Sequence, residues 1–130
     1  MILSTFLKRV LTLDAASCLA MGLLLTLGAG ALAPMFGIDR QIVGGAGLAL
    51  IPIGLFILWL GTRQAAAPTF VYLVIAGNIA WTVESFVLIA STSAITALGI
   101  AFVSIQAAAV AGLSLLEWIG IRRLQTSAPA

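Results

Sequence analysis

The sequence predicts an all-α membrane protein, four transmembrane helices in an up-down-up-down bundle, and three observations carry that expectation. Of 130 residues, 62% are hydrophobic and 8% are charged, which is more apolar surface than a soluble domain of this size can hide. The apolar residues form continuous runs rather than short alternating segments, so a transmembrane β-barrel is set aside. Four runs, Val10–Ala33, Ile42–Gly61, Thr69–Ala90 and Thr96–Ile119, reach the roughly 20 residues that a helix needs to cross a hydrocarbon core about 30 Å thick. One integral membrane domain then accounts for residues 1–130.

Span one follows Lys8 and Arg9 and ends in Ala31-Leu32-Ala33, which resembles a signal-peptide cleavage triplet. Asp14 inside the run, the run's length and Pro34 directly after it argue for a retained span. Ala15-Ala16-Ser17-Cys18 matches a lipoprotein box only loosely. Span two carries Gly44-Gly45-Ala46-Gly47, which allows close helix packing. It is no phosphate loop, because the Lys-Ser/Thr ending is missing. Span four places Ser104, Ala108 and Gly112 at four-residue intervals, a stripe that admits a neighbouring helix. Gln106 points the other way, so one face is expected inside the bundle and the other against a second copy, as a homodimer.

The connections, Pro34–Gln41, Thr62–Pro68 and Ser91–Ile95, are short and favour antiparallel neighbours. Lys8, Arg9, Arg63, Arg122 and Arg123 fall at one end of the bundle and only Arg40, next to Asp39, at the other. The positive-inside rule therefore predicts cytoplasmic termini. Trp59-Leu60-Gly61-Thr62-Arg63 and Trp118-Ile119-Gly120-Ile121-Arg122 close spans two and four with one spacing. They read as two interface anchors, Trp at headgroup level and Arg reaching phosphate.

Composition removes several functions. The net charge of +2 is spread in ones and twos at span ends, which is no footprint for nucleic acid. There is no histidine and a single cysteine, Cys18. Imidazole metal or haem ligation and an internal disulfide are thereby excluded, and neither metal nor cofactor is expected. No nucleophile–base pair is evident at a defensible spacing, so the chain is not read as an enzyme.

Span three is the informative helix. At about 100° per residue, Gly77, Asn78, Trp81, Thr82, Glu84 and Ser85 share an arc of roughly 160°. Glu84 is expected to face the bundle, since an ionisable group turned to lipid costs about 3 kcal/mol or more. Trp81 is expected to donate its indole N–H to Glu84 one turn on. Depth arithmetic sets Thr26, Gly44–Gly47 and Ser104 level with Glu84, and Asn78 level with Pro52, whose missing N–H frees the Leu48 carbonyl for the Asn78 amide. Candidate binding residues are therefore Glu84, Trp81, Asn78, Ser104 and Thr26, with lipid, a small molecule or a cation as ligand. Glu84 is read either as a protonatable transport site or as a carboxyl that clips helices together. Asp14 and Glu117 are expected in a ring of interfacial ion pairs with the basic residues nearby.

Leu13-Asp14-Ala15 and Ala76-Gly77-Asn78-Ile79-Ala80-Trp81 resemble segments of the small bacterial four-span inner-membrane proteins called DoxX-like. That resemblance covers all four spans and implies the architecture and a bacterial inner-membrane setting, but it transfers no active-site residue. Small multidrug exporters share the size and a membrane glutamate, but theirs lies in the first span. Fluoride channels differ by their glycine-threonine-serine-phenylalanine signature, absent here. A binding or accessory membrane component is the leading expectation, and a proton- or cation-coupled transporter centred on Glu84 is the alternative.

Overall fold

Hydropathy marks only the lipid-immersed part of a helix, and the helices of this protein outrun their apolar runs. The computed structural model describes residues 1–127, with side chains through Leu124. Its four helices are α1 (Thr5–Phe36), α2 (Arg40–Gly61), α3 (Pro68–Ser91) and α4 (Ala97–Ser127), each long and apolar enough to cross a membrane. The true start of α1 is set by Ser4, whose hydroxyl accepts the Leu7 N–H at 3.1 Å, as an N-cap does. Lys8 and Arg9 are good helix formers and continue the helix outside the apolar run. Pro68 opens α3, where its missing N–H costs nothing.

The connections are tied to one another at each end. At the end with the amino terminus, Leu3 N–H donates to Gln64 O and Ala66 N–H to Met1 O, both at 2.9 Å, so the leading residues pair with the α2–α3 connection. At the far end α1 stops at Gly37, whose φ of 68° is left-handed. A side chain there would also collide with the Ala94 carbonyl, so both conformation and space demand glycine. Thr96 joins the two far connections: its N–H donates to Phe36 O at 2.9 Å and its hydroxyl to Met35 O at 2.7 Å. The same hydroxyl accepts the Gly99 N–H at 3.0 Å and caps α4.

Helix α1 is central, packing on α2 along one side and on α4 along another, while α4 carries α3. The α1–α2 seam is built on Gly47, Gly54 and Gly61, spaced by seven so that they keep one face of a helix pair with a left-handed crossing. A Cβ on Gly47 would lie 2.6 Å from Thr26 N and 2.8 Å from Gly22 O, and one on Gly54 would lie 2.9 Å from Leu19. Backbones thus touch where lipid offers no hydrophobic drive to association and contact area must supply it. Helices α2 and α3 are different. Backbone packing between them is sparse, and near the amino-terminal end Phe70 meets Phe56 and Trp59 edge-on, each with ring centroids 6.1 Å apart.

The two Trp-Arg repeats share one geometry. Arg63 lies over the Trp59 ring at 5.4 Å and Arg122 over the Trp118 ring at 5.5 Å, a cation–π contact one helical turn long. Each arginine therefore covers its own tryptophan.

The seam makes a stability prediction. In detergent, Gly47→Leu should lower unfolding free energy by about 2 kcal/mol or more, because beside the Thr26 hydroxyl its close neighbours are the backbone atoms Thr26 N and Gly22 O, which cannot yield. Gly45→Ala, with open space around the new methyl, should be neutral or up to about 1 kcal/mol stabilising. Thermal or SDS unfolding of the two variants beside wild type measures both.

Candidate functional site

The polar centre of the bundle is Asn78. Its amide nitrogen donates to Asp14 Oδ2 at 2.7 Å and to Glu117 Oε1 at 2.8 Å, joining α3 to α1 and α4 in one contact. Asp14 is 1% exposed, Glu117 0% and Asn78 7%, so these bonds are made out of water, where an unmade one is most costly. Cys18, one turn after Asp14, approaches Asp14 Oδ1 at 3.6 Å. Glu117 Oε2 is buried with no hydrogen-bond partner among the described residues.

A second network lies one turn further along α3. Trp81 Nε1 donates to Gln106 Oε1 at 2.9 Å, and Gln106 Nε2 donates to Ser85 Oγ at 2.8 Å and to Val103 O at 2.9 Å. Ser85 Oγ donates to Trp81 O at 2.7 Å, and Thr82 Oγ1 to Asn78 O at 2.9 Å. Gln106 is thus an inward polar group of α4, as Glu117 is further along the helix. On the outer side of that helix Ala108 and Gly112 are exposed, with Ser104 half-buried.

Alongside the two networks the four helices surround a cavity of about 850 Å³, within the range of small-molecule sites. Asp14, Asn78, Trp81 and Gln106 stand on its wall, and Met21, Leu50, Phe56, Ile57, Val74 and Phe102 are among the apolar residues that complete it. Leu24, Ile53, Leu73 and Ile105 line it too, and they are 48%, 43%, 58% and 70% exposed. The cavity is therefore open along the flank of the bundle, where these exposed lining residues lie within the apolar spans.

Several sequence expectations are corrected. Glu84 is exposed and stands outside the cavity, two turns beyond Gly77 along one edge of α3. The reason is rotational: a helix has one azimuth, and α3 points Asn78 at two acids and Ser85 at Gln106, which leaves Glu84 about 120° away. Trp81 accordingly bonds Gln106 rather than Glu84. The Asn78 amide is taken by the two carboxyls and does not reach the Leu48 carbonyl. Asp14 and Glu117 are not interfacial ion-pair members but core residues. Thr26 belongs to the α1–α2 seam against Gly47, its Oγ1 buried and unpartnered among the described residues, and neither it nor Ser104 lines the cavity.

Asn78 and Trp81 are therefore the two candidate binding residues that the fold places on the cavity, joined there by Asp14, expected in an interfacial ion-pair ring, and by Gln106, expected only to face away from the small-residue stripe, while Glu117 stands behind them. Asp14 and Asn78 had a usable signal. They lie at similar distances from the starts of helices that run the same way. Among the described residues no group of three His, Cys, Asp or Glu side chains is arranged to hold a metal ion.

Removing the shared donor tests the centre. Asn78→Leu should cost about 2 kcal/mol or more, since two buried carboxyls lose their amide, whereas Glu84→Gln should change stability by less than about 0.5 kcal/mol. SDS unfolding monitored by circular dichroism separates the two. Compared with known proteins, no family model, curated protein or solved structure matches this chain.

Proposed function

We propose that this protein is a binding component of a bacterial inner membrane, holding an elongated apolar molecule in its lateral cavity. The observation that carries the reading is the cavity itself: apolar over most of its wall, polar along one strip, and open to the side at membrane depth. A ligand that enters this way comes from the lipid and keeps its hydrocarbon in an apolar medium, so its entry costs little desolvation. The strip of Asp14, Asn78, Trp81 and Gln106 then favours a molecule with one polar end. A transport cycle centred on Glu84 draws less support, because that carboxyl stands outside the cavity.

The test is retention. Purified from membranes and released from detergent in a native mass spectrometer, the chain should carry one acyl-chain-sized molecule. Gly77→Phe with Ala109→Phe, which add bulk at two exposed lining positions, should reduce its occupancy by about tenfold. Wild-type chains free of any such adduct would refute the reading.

Orientation follows the charge bias, with both ends proposed to be cytoplasmic. Gln64→Cys should react with a membrane-impermeant maleimide only after cells are opened, and Gln41→Cys should react in intact spheroplasts. The reverse pattern would refute the assignment.

A further inference from the structure

Acceptors outnumber donors at the buried joint of α1, α3 and α4. Asp14 and Glu117, 1% and 0% exposed, bring four carboxyl oxygens to it. Asn78 has two amide hydrogens and places one on Asp14 Oδ2 and the other on Glu117 Oε1, which exhausts it as a donor. Asp14 Oδ1 receives the Cys18 thiol at 3.6 Å, a weak third donor. Glu117 Oε2 is left buried with no hydrogen-bond partner among the described residues, although Glu117 is within hydrogen-bonding reach of the Asp14 carboxyl. Two acids this close and this dry do not both carry their charge. A proton on the orphaned oxygen turns it from an unmet acceptor into a donor aimed at its neighbour.

We propose that Asp14 and Glu117 form a proton-binding site that holds one proton, carried on Glu117 Oε2 and donated to the Asp14 carboxylate. Asp14 is then the ionised member, accepting from Asn78, Cys18 and Glu117 together, and three donors on one carboxylate stabilise its charge out of water. Each of the four oxygens then has a partner. The other titratable and charged groups of the packed helices are directed elsewhere. On α1, Lys8 and Arg9 leave the helix about 120° and 140° round from Asp14, and Cys18 is the titratable neighbour that remains. Helix α3 presents the neutral Asn78, while its Tyr72 meets the Trp118 ring and its Glu84 is exposed. The one charged residue of α2, Arg40, stands at the far end beside Gly30. On α4 the guanidinium groups of Arg122 and Arg123 lie over the rings of Trp118 and Phe6. The site stands apart from the cavity reading, because Glu117 does not line the cavity. Its consequence is mechanical: releasing the proton puts a second negative charge on the contact that orients α3 and leaves Oε2 unmet again, so the register of α3 depends on pH.

Infrared spectroscopy counts the proton directly. The acidic side chains are Asp14, Asp39, Glu84 and Glu117, and Glu84→Gln serves as the background so that the exposed membrane carboxyl gives no signal. At neutral pH that protein in lipid nanodiscs should show the C=O band of one protonated carboxyl, shifted in deuterium oxide, and adding Glu117→Gln should abolish the band. Stability supplies the second readout. The folded chain keeps a proton that the unfolded acids have lost above about pH 5, so stability is greatest at low pH and falls as pH rises. Between about pH 6 and about pH 8 the unfolding constant in detergent should grow about tenfold per pH unit until the folded pair ionises. Glu117→Gln, whose amide keeps a donor where the proton sat, should remove that slope and be at least as stable as wild type at the alkaline end. The count in the Glu84→Gln background and the wild-type slope decide the matter should the Glu117 variants not fold. A count of no protonated carboxyl, or of two, would overturn the one-proton site. Wild-type stability that stays level or rises with pH over this range would overturn it as well.

Discussion

One amide sets the geometry of this bundle. Asn78 donates to acids on two other helices, and in a medium without water Asp14 has only the weak Cys18 thiol besides it and Glu117 no other donor among the described residues. The rotation of α3 about its axis is fixed by that demand. With Asn78 turned inward, Trp81 and Ser85 meet Gln106 of α4, and Glu84 is carried to the outside. A polar contact between membrane helices is worth only about 1 kcal/mol on average, so the contact is better described as a specifier of register than as the main source of stability.

Stability comes from elsewhere. Helices α1 and α2 lie backbone against backbone at Gly22 and Gly47, and Gly54 and Gly61 receive side chains of α1 directly onto the α2 backbone, and dispersion over that close contact holds them. Helix α3 lacks such a seam. It is held by Asn78, by the Trp81–Gln106 pair and by edge contacts of Phe70 and Tyr72, so its approach to α2 is loose. The cavity is the consequence of this difference: one pair of helices zipped by glycine, the other pair spaced by larger side chains, and room left between them.

The architecture was readable in the sequence because it depends on composition and length, which the bilayer constrains strongly. Four helices and their antiparallel order follow from hydropathy and short connections alone. The site was less readable, and the difficulty traces to particular residues. Beginning span one at Val10 put Asp14 near the interface, while Asn78 lay well inside span three, so the two were placed at different depths. The Ser4 cap, which starts α1 at Thr5, restores them to one level. The polar arc of span three was also too wide to define a direction. An arc of roughly 160° contains several possible inward faces, and choosing among them needs the partners, which lie 64 and 39 residues away in sequence.

The burial of the acids separates what specifies the fold from what fills the cavity. Asp14 is 1% exposed and Glu117 0%, so both carboxyls spend their hydrogen-bonding capacity inside the bundle, Asp14 on Asn78 and the Cys18 thiol and Glu117 on Asn78. Trp81 and Gln106, which also line the cavity, are committed to each other. A guest therefore meets walls that are apolar or whose polar groups are already paired, and it can enter and leave without breaking the bond that sets the rotation of α3.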